Sequence, residues 1–213
     1  MSNYFNITGY CSNSELSRFG QEINLLPKFK DDKERQFEAF RIGTLFDILE
    51  TEKHRIDRLN GCIIGTEYTF SDVELKTWER KQNLLYSQSF YKSILNAKPD
   101  FQKEIYQDNF TLDGIFRLKF KGKLDLFLPN LVIDLKTTIA ESQDSFEWTC
   151  NEFGYFRQMI LYMALTGATQ SLLIGVCKTK DKIYKVTFDR THPKFKENLN
   201  MCKLLIQKYC MYN

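Results

Sequence analysis

The fold of this chain is decided by two short stretches, Gly122-Lys123-Leu124-Asp125 and Leu131-Val132-Ile133-Asp134-Leu135-Lys136-Thr137-Thr138. An apolar run leads into Asp134, and the turn-forming pair Pro129-Asn130 lies between the two stretches. This pattern predicts two neighbouring strands of one sheet. Because neighbouring strands lie about 4.8 Å apart, we expect Asp125 and Asp134 to converge on one hard cation.

On the second strand, side chains two residues apart share a face. Asp134 and Lys136 therefore point to one side. Ile133 and Leu135 point to the other side, into a core. An ordinary exposed Asp–Lys pair would have the same spacing. The apolar run over 131–133 favours a buried strand instead, in which an ionised pair is costly unless it has a function.

The chemistry that suits this pair of strands is metal-assisted hydrolysis. Mg²⁺ binds one or two carboxylates together with waters and the phosphate oxygens of a substrate. Such an ion polarises a phosphodiester and lowers the pKa of a bound water. Lys136 would orient that water or neutralise charge that develops on the phosphate.

Outward from these strands, the N-terminal part of the chain is predicted to be helical. Its elements are a short helix that follows a capping stretch over 12–16, a helix over 40–49, a loop over 60–70 and a helix from 71 to about 96. Ser71 and Glu74 form the spacing of a capping box, and Gly43 marks a close approach of the second helix to a neighbour.

The C-terminal part alternates strands and helices. Its predicted elements are strands over 104–110, 115–120, 123–128 and 131–136, a polar loop over 137–144, a helix over about 147–165, strands over 170–178 and 183–188, and a last helix that ends near 210. Lys121-Gly122 is read as a turn. The order predicts an α/β (α+β) fold with a central mixed β-sheet flanked by helices. We expect a single domain over 1–213, with a helical segment (about 1–96) packed on a sheet core (about 101–213).

The amino-acid composition argues against several kinds of functional site. The net charge of the 213 residues is only +3, so any affinity for nucleic acid must come from a local patch. Two histidines leave little room for a His-rich zinc site or a Ser-His-Asp triad. None of the six cysteines forms a C-x-x-C pair, which favours buried reduced thiols.

No membrane segment is expected. The N-terminus lacks a basic region followed by an apolar one, so we predict no signal peptide and a cytoplasmic protein. The stretch 159–177 carries no charge and has a length within range of a membrane span. Turn chemistry over 166–171 divides it into a helix end, a turn and a buried strand.

Taken together, these motifs resemble the core of the PD-(D/E)XK nuclease superfamily, and most closely its RecB-type and exodeoxyribonuclease VIII (RecE-like) branch. Gly-x-x-Asp, a turn, and then apolar-apolar-Asp-x-Lys-Thr-Thr form the central similarity. Three flanking segments occur in the matching order. They are Ser12-Asn13-Ser14-Glu15-Leu16-Ser17-Arg18-Phe19, Ile42-Gly43-Thr44-Leu45-Phe46-Asp47 and Tyr155-Phe156-Arg157-Gln158-Met159-Ile160-Leu161-Tyr162. The resemblance implies a fold with a restriction-endonuclease-like core. It also implies a protein encoded by a bacterium or a phage.

The resemblance also implies roles for residues of the sheet. Asp125 and Asp134 would be the metal carboxylates, with the Leu135 carbonyl as a further ligand to Mg²⁺ or Mn²⁺. Lys136 would be the catalytic lysine of the superfamily. Glu104 stands where the family often places an acidic residue near the metal-bound water; a simple strand carboxylate is the alternative.

A helix would complete the site. By the same resemblance, Gln158 and Tyr162, together with Tyr155, would hold the DNA backbone near the scissile phosphate. Their spacing of i, i+3 and i+7 places them on one helix face, which would equally suit a half-buried face without a function. Lys119, Lys121 and Lys123 could grip phosphates or line a solvated sheet edge.

The chain departs from the family at Asp47, where the family helix usually offers a histidine to the metal. An aspartate is a competent oxygen ligand for Mg²⁺, and the change could also mark a site that has lost a ligand. Some relatives carry an iron–sulfur cluster on one early and three late cysteines. Only Cys202 and Cys210 lie late here, so we predict no cluster.

The resulting functional hypothesis is a metal-dependent DNA nuclease, most closely an exonuclease that resects linear duplex DNA in recombination or repair. An endonuclease on the same core and a catalytically silent DNA-binding or assembly module are the alternatives. The expected partners are DNA and a single-strand annealing or recombination protein. A homo-oligomer stays open, because nothing in the sequence encodes a subunit interface.

Overall fold

The computed structural model describes residues 4–28 and 33–213, so residues 1–3 and 29–32 of the predicted domain lie outside the described part. The helices are α1 (Asn13–Glu22), α2 (Lys33–Thr51), α3 (Asp72–Ser87), α4 (Ser89–Asn96), α5 (Gln143–Glu152), α6 (Tyr155–Thr166) and α7 (Phe195–Tyr212). The strands are β1 (Ile56–Asp57), β2 (Cys62–Ile63), β3 (Asp100–Leu112), β4 (Ile115–Leu128), β5 (Leu131–Thr138), β6 (Gln170–Cys177) and β7 (Ile183–Asp189).

Five strands form one mixed sheet in the order β3-β4-β5-β6-β7. The pair β5–β6 is parallel, and the other neighbours are antiparallel. The chain connects the parallel pair through α5 and α6, as a parallel connection requires. The predicted fold class, a mixed sheet flanked by helices, is confirmed.

Two apolar clusters lie on opposite faces of this sheet. Residues of α5, α6 and α7 pack with Val132 and Leu173 on one face. Residues of α2, α3 and α4 pack with Ile133 and Leu135 on the other. The alternation predicted for β5 is therefore observed, and β5 and β6 are buried on both faces, as strands beside a parallel ladder usually are.

The prediction of a turn at Lys121-Gly122 is wrong, because β4 continues through both residues. Gly122 serves packing instead of a turn. A Cβ built on it would lie 2.7 Å from Leu165 Cδ2 and 3.0 Å from Tyr162 Cε1. The missing side chain lets α6 approach the strand closely, and α6 carries part of the candidate site.

Two predicted helices are each divided. The helix expected over 147–165 is split into α5 and α6 at Gly154, whose φ of 73° is left-handed. The helix from Ser71 does begin with the predicted capping box, but it ends at Ser87, and Gln88 has extended backbone before α4 begins. Both breaks fall where a single periodic pattern predicted one continuous helix.

Smaller differences occur in the segments predicted as loops. The segment over 60–70 contains β2, which pairs with β1. The segment over 137–144 is shorter than expected, because β5 continues to Thr138 and Ser142 caps α5. Gly43 does not mark a close approach, since a Cβ there would meet no atom within 4 Å.

Substitution by alanine is expected to have opposite effects at Gly122 and Gly43. Gly122→Ala should destabilise the fold by about 1–3 kcal/mol, because the methyl group overpacks the contact with α6. Gly43→Ala should stabilise it by about 0.5–1 kcal/mol, because alanine favours a helix and the site is open. Denaturant unfolding of both variants measures the difference, and equal effects would contradict the packing role of Gly122.

Candidate active site

The candidate site begins where β4 and β5 separate. The two strands pair only at Leu126–Ile133, Phe127–Val132 and Leu128–Leu131, next to the turn. Beyond that point, Asp125 Oδ2 accepts a hydrogen bond from the Leu135 amide at 2.7 Å. The carboxylate takes the place of a backbone hydrogen bond between the two strands, which diverge from this point. We call this divergence of β4 and β5 the strand fork.

The fork leaves part of β4 without β5 as a neighbour, and the N-terminal segment pairs there. The Cys11 amide donates to the Lys119 carbonyl at 2.8 Å, and the Lys121 amide donates to the Cys11 carbonyl at 2.8 Å. Ser12 follows directly and caps α1, as predicted, by accepting from the Glu15 amide. The pairing therefore positions α1 beside the fork.

Asp134 and Lys136 form an ion pair on β5. Lys136 Nζ lies 2.5 Å from Asp134 Oδ2, and Asp134 is only 2% exposed. The same ammonium group lies 4.8 Å from the centre of the Tyr155 ring on α6, a cation–π distance. The predicted common face of Asp134 and Lys136 is confirmed.

Helix α6 contacts this ion pair on one face of the sheet. Gln158 Nε2 donates to Asp134 Oδ1 at 3.3 Å and to the Tyr162 hydroxyl at 3.1 Å. Tyr162 is 7% exposed and lies behind Gln158. Of the three residues predicted to hold DNA, Tyr155 and Gln158 line the cleft described next, whereas Tyr162 is buried beside it.

A cleft of about 640 Å³ opens over the fork. Its walls come from α1, α2, the forked strands and the start of α6. They include Ser14, Arg18, Phe40, Asp47, Asp125, Lys136 and Gln158. Asp134 lies beneath this surface, covered by Lys136 and Gln158. The structure thus brings the predicted strand and helix residues together at one cleft.

Asp47, the residue at the departure from the family, faces the same cleft from α2. Its Oδ1 accepts a hydrogen bond from Gln102 Nε2 at 2.8 Å. Burial raises the pKa of Asp47 to about 6, against the opposing influence of the ammonium groups of Lys123 and Lys136. Gln102 is a site residue that sequence reasoning did not assign. Lys123, considered from the sequence only as a phosphate contact or a residue of a solvated edge, lies close enough to Asp47 to influence its charge.

The acids of the site interact electrostatically. Burial, and then the neighbouring charges of Asp134 and Asp47, raise the pKa of Asp125 well above its usual range. Burial opposes the charge on Lys136, but Asp134 and Asp125 raise its pKa, so the ammonium form persists. Three carboxylates, those of Asp47, Asp125 and Asp134, therefore lie within electrostatic reach of one another, and burial favours a proton or a cation beside them.

The donor set fits a hard divalent cation. Asp125 and Asp134 offer carboxylate oxygens, and Leu135 lines the same cleft as Asp125. Across residues 4–28 and 33–213, no three His, Cys, Asp or Glu side chains lie close enough to hold one ion together. Two carboxylates with waters and phosphate oxygens suffice for Mg²⁺. The role of Asp47 as a third ligand stays a prediction.

The other predicted residues have different surroundings. Glu104 Oε2 accepts a hydrogen bond from the Tyr106 hydroxyl at 2.9 Å, and Glu104 is not among the residues that line the cleft. Lys121 is 7% exposed, and its ammonium group donates to the carbonyls of Tyr4 and Ile7 at 3.1 and 2.7 Å. Lys121 therefore neither grips phosphate nor lines a solvated edge; it anchors the N-terminal segment. All six cysteines are free thiols.

The sequence belongs to a known family. A family model described as a PDDEXK-like domain of unknown function (DUF3799) matches residues 26–211. The chain is therefore a member of that family, and the predicted membership of the PD-(D/E)XK superfamily is confirmed. No curated protein matches the sequence.

The comparison with solved structures gives one clear likeness in fold and several weaker ones. A crystal structure of an exonuclease candidate from Eubacterium rectale is 16% identical, covers 98% of this chain and 82% of its own, and has a TM-score of 0.64. A phage-related exonuclease from Haemophilus somnus is 17% identical over 86% and 87%, with a TM-score of 0.40. An alkaline exonuclease from Laribacter hongkongensis is 12% identical over 96% and 89%, with a TM-score of 0.36. The likeness to the first of these structures shows the fold alone.

The stretch 159–177 forms the end of α6, a turn at Gly167 and β6, as predicted. None of the helices in the described part of the chain is long and apolar enough to cross a membrane.

Glu50, one turn along α2 from Asp47, predicts a pH dependence of stability. Its carboxylate accepts from the Tyr91 hydroxyl at 2.8 Å, and burial raises its pKa from 4.5 to about 7. The folded chain keeps a proton that the unfolded chain releases, so stability falls as pH rises from about 4.5 to about 7. Glu50→Gln should raise stability at pH 8 by roughly 1–3 kcal/mol and weaken this slope.

Denaturant unfolding at pH 5 and pH 8 measures the effect. Glu67→Gln, at an exposed carboxylate, is the matched control and should leave the pH dependence as in the wild type. An unchanged slope in Glu50→Gln would contradict the raised pKa of Glu50.

Proposed function

We propose that this protein is a metal-dependent DNA nuclease that degrades linear duplex DNA from its ends. The observation that carries the proposal is the arrangement at the strand fork of a PDDEXK-like domain, where Asp125 and Lys136 line one cleft and Asp134 lies directly beneath it, paired with Lys136. An ordinary packed sheet would not hold two acids and a lysine at a place where two strands part.

Mg²⁺ or Mn²⁺, held by Asp125, Asp134 and the Leu135 carbonyl, would polarise the scissile phosphodiester and lower the pKa of the attacking water. Lys136 binds a non-bridging phosphate oxygen and stabilises the charge that develops there. Gln158 keeps the Asp134 carboxylate oriented through its hydrogen bond to Oδ1.

The rim of the cleft has the character of a nucleic-acid surface. Arg18 and Lys178 line it and provide positive charge for phosphates. Phe40 also lines it and is 66% exposed, so its ring can stack on a base. These contacts favour a nucleic acid over a small phosphate ester as the substrate.

End-dependence is supported by the fold shared with the exonuclease candidate. In recombination or repair, a single-strand annealing protein would take up the strand that such resection leaves.

A catalytically silent DNA-binding module is the second candidate. It is favoured by the finding that, within the described ranges, three acids do not gather around one point. Such a module would bind DNA through the same cleft without cutting it. Cleavage assays separate the two functions.

Removal of the central ion pair tests catalysis. Asp134→Asn and Lys136→Ala should each lower the cleavage rate by about 10²–10³ or more, because each removes transition-state stabilisation. DNA binding should largely persist, because phosphate contacts are spread over several groups. The matched controls are Asp113→Asn and Lys203→Ala, which break an ion pair of 2.6 Å outside the cleft and should keep wild-type rates.

The expected readout is a gel time course on end-labelled DNA, with far-UV circular dichroism to confirm folding. Wild-type rates in Asp134→Asn would place catalysis elsewhere. No cleavage by the wild-type chain in Mg²⁺ or Mn²⁺, together with retained DNA binding, would favour the silent module.

The choice of substrate tests end-dependence. Linear duplex should shorten progressively in Mg²⁺, whereas relaxed closed circles of the same sequence should persist over the same time. EDTA should stop the reaction, because hydrolysis needs the cation. Rapid linearisation of the closed circles would support the endonuclease alternative.

A further inference from the structure

Gln102 has an unusual backbone conformation for a residue inside a strand. Its φ is 49°, in the left-handed region that residues other than glycine rarely adopt. Its neighbours Phe101 and Lys103 pair normally with Leu126 and Leu124 of β4. Asp113 and Phe116, which also have positive φ, lie at the turn between β3 and β4, whereas Gln102 lies within the paired part of β3, where the register is kept.

Gln102 lies opposite Asp125 of the candidate site, which is on the neighbouring strand β4. Gln102 and Asp125 are the two residues skipped between the pairs Phe101–Leu126 and Lys103–Leu124. At this point the sheet changes its alternation. Leu124 packs in the cluster of α5–α7, and Leu126 packs in the cluster of α2–α4, although residues two apart normally share a face.

The side chain of Gln102 also contacts the candidate site. Its amide Nε2 donates to Asp47 Oδ1 at 2.8 Å, across 55 residues of sequence. Glycine or asparagine would adopt this backbone with less strain. Glutamine has the additional length that reaches from the sheet to α2. A strained position occupied by a long amide therefore indicates a function for the side chain.

We propose that Gln102 is a positioning residue, whose strained backbone aims its amide at Asp47 and orients that carboxylate toward the cation site at Asp125 and Asp134. The inference rests on the proposed function. Asp47 would act on the cation directly or through one of the waters that Mg²⁺ retains. Groups that hydrogen-bond a ligating carboxylate typically change metal affinity 10–100-fold when they are removed.

The test separates backbone strain from side-chain function and needs no DNA. The melting temperature of the purified chain is measured against Mg²⁺ and Mn²⁺ concentration, since binding to the folded state raises it. Gln102→Gly should melt at or above the wild type without metal, because the strain is relieved. Its half-saturating metal concentration should rise about 10–100-fold.

Two further variants sharpen the result. Gln102→Asn tolerates the left-handed backbone but is one methylene shorter, so it should match Gln102→Gly. Gln107→Gly is the matched control on the same strand, since the Gln107 amide donates to the Leu165 carbonyl at 2.9 Å away from the cleft. It should lower the melting temperature and leave the half-saturating concentration unchanged.

A wild-type metal response in Gln102→Gly would overturn the proposal. So would a wild-type chain whose melting does not respond to either metal, whatever cleavage shows. If the predicted shift is seen but the wild type does not cut DNA, the positioning role stands and the nuclease function fails.

Discussion

The structure of the site depends on one hydrogen bond, from the Leu135 amide to Asp125 Oδ2. If β4 and β5 stayed paired along their length, the carboxylate would have no backbone amide to accept from and no cleft would open. With the bond in place, the strands separate after three residue pairs. The separation also leaves an edge on which Cys11 pairs, and this pairing fixes the position of α1 along the cleft.

The second constraint is electrostatic. Asp47, Asp125 and Asp134 lie near one another, partly withdrawn from water, with Lys123 and Lys136 as the nearest cations. Such a cluster destabilises the folded chain unless protons or a bound cation offset it. Burial raises the pKa values of both Asp47 and Asp125, and the charges of Asp134 and Asp47 raise that of Asp125 further; functional sites commonly show such shifts. A divalent cation would relieve the repulsion and perform chemistry at the same position.

Helix α6 holds the other half of the site, and its position follows from two glycines. Gly154, with its left-handed backbone, separates α6 from α5, and the first turns of α6 place Tyr155 against Lys136 and Gln158 against Asp134. Gly122 lets the far end of the same helix contact β4 closely. Small residues at these points therefore set the distances among the polar groups of the cleft.

The sequence by itself determined the order of the elements, the mixed sheet, the turn at Pro129-Asn130 and the shared face of Asp134 and Lys136. Each of these follows from local backbone geometry, in which side chains repeat every two residues along a strand. Reliance on local pattern also explains the wrong prediction of a turn at Lys121-Gly122. A glycine that is needed for long-range packing, as Gly122 is, has the same local pattern as a glycine in a turn.

Only the tertiary structure decided which distant groups meet. The left-handed backbone of Gln102 and its bond to Asp47 join residues 55 apart. The burial that raises the pKa of Glu50 and hides Tyr162 likewise depends on neighbours far along the chain. Such contacts are set by how the whole chain packs its two apolar layers against the sheet, and no local periodicity records that arrangement.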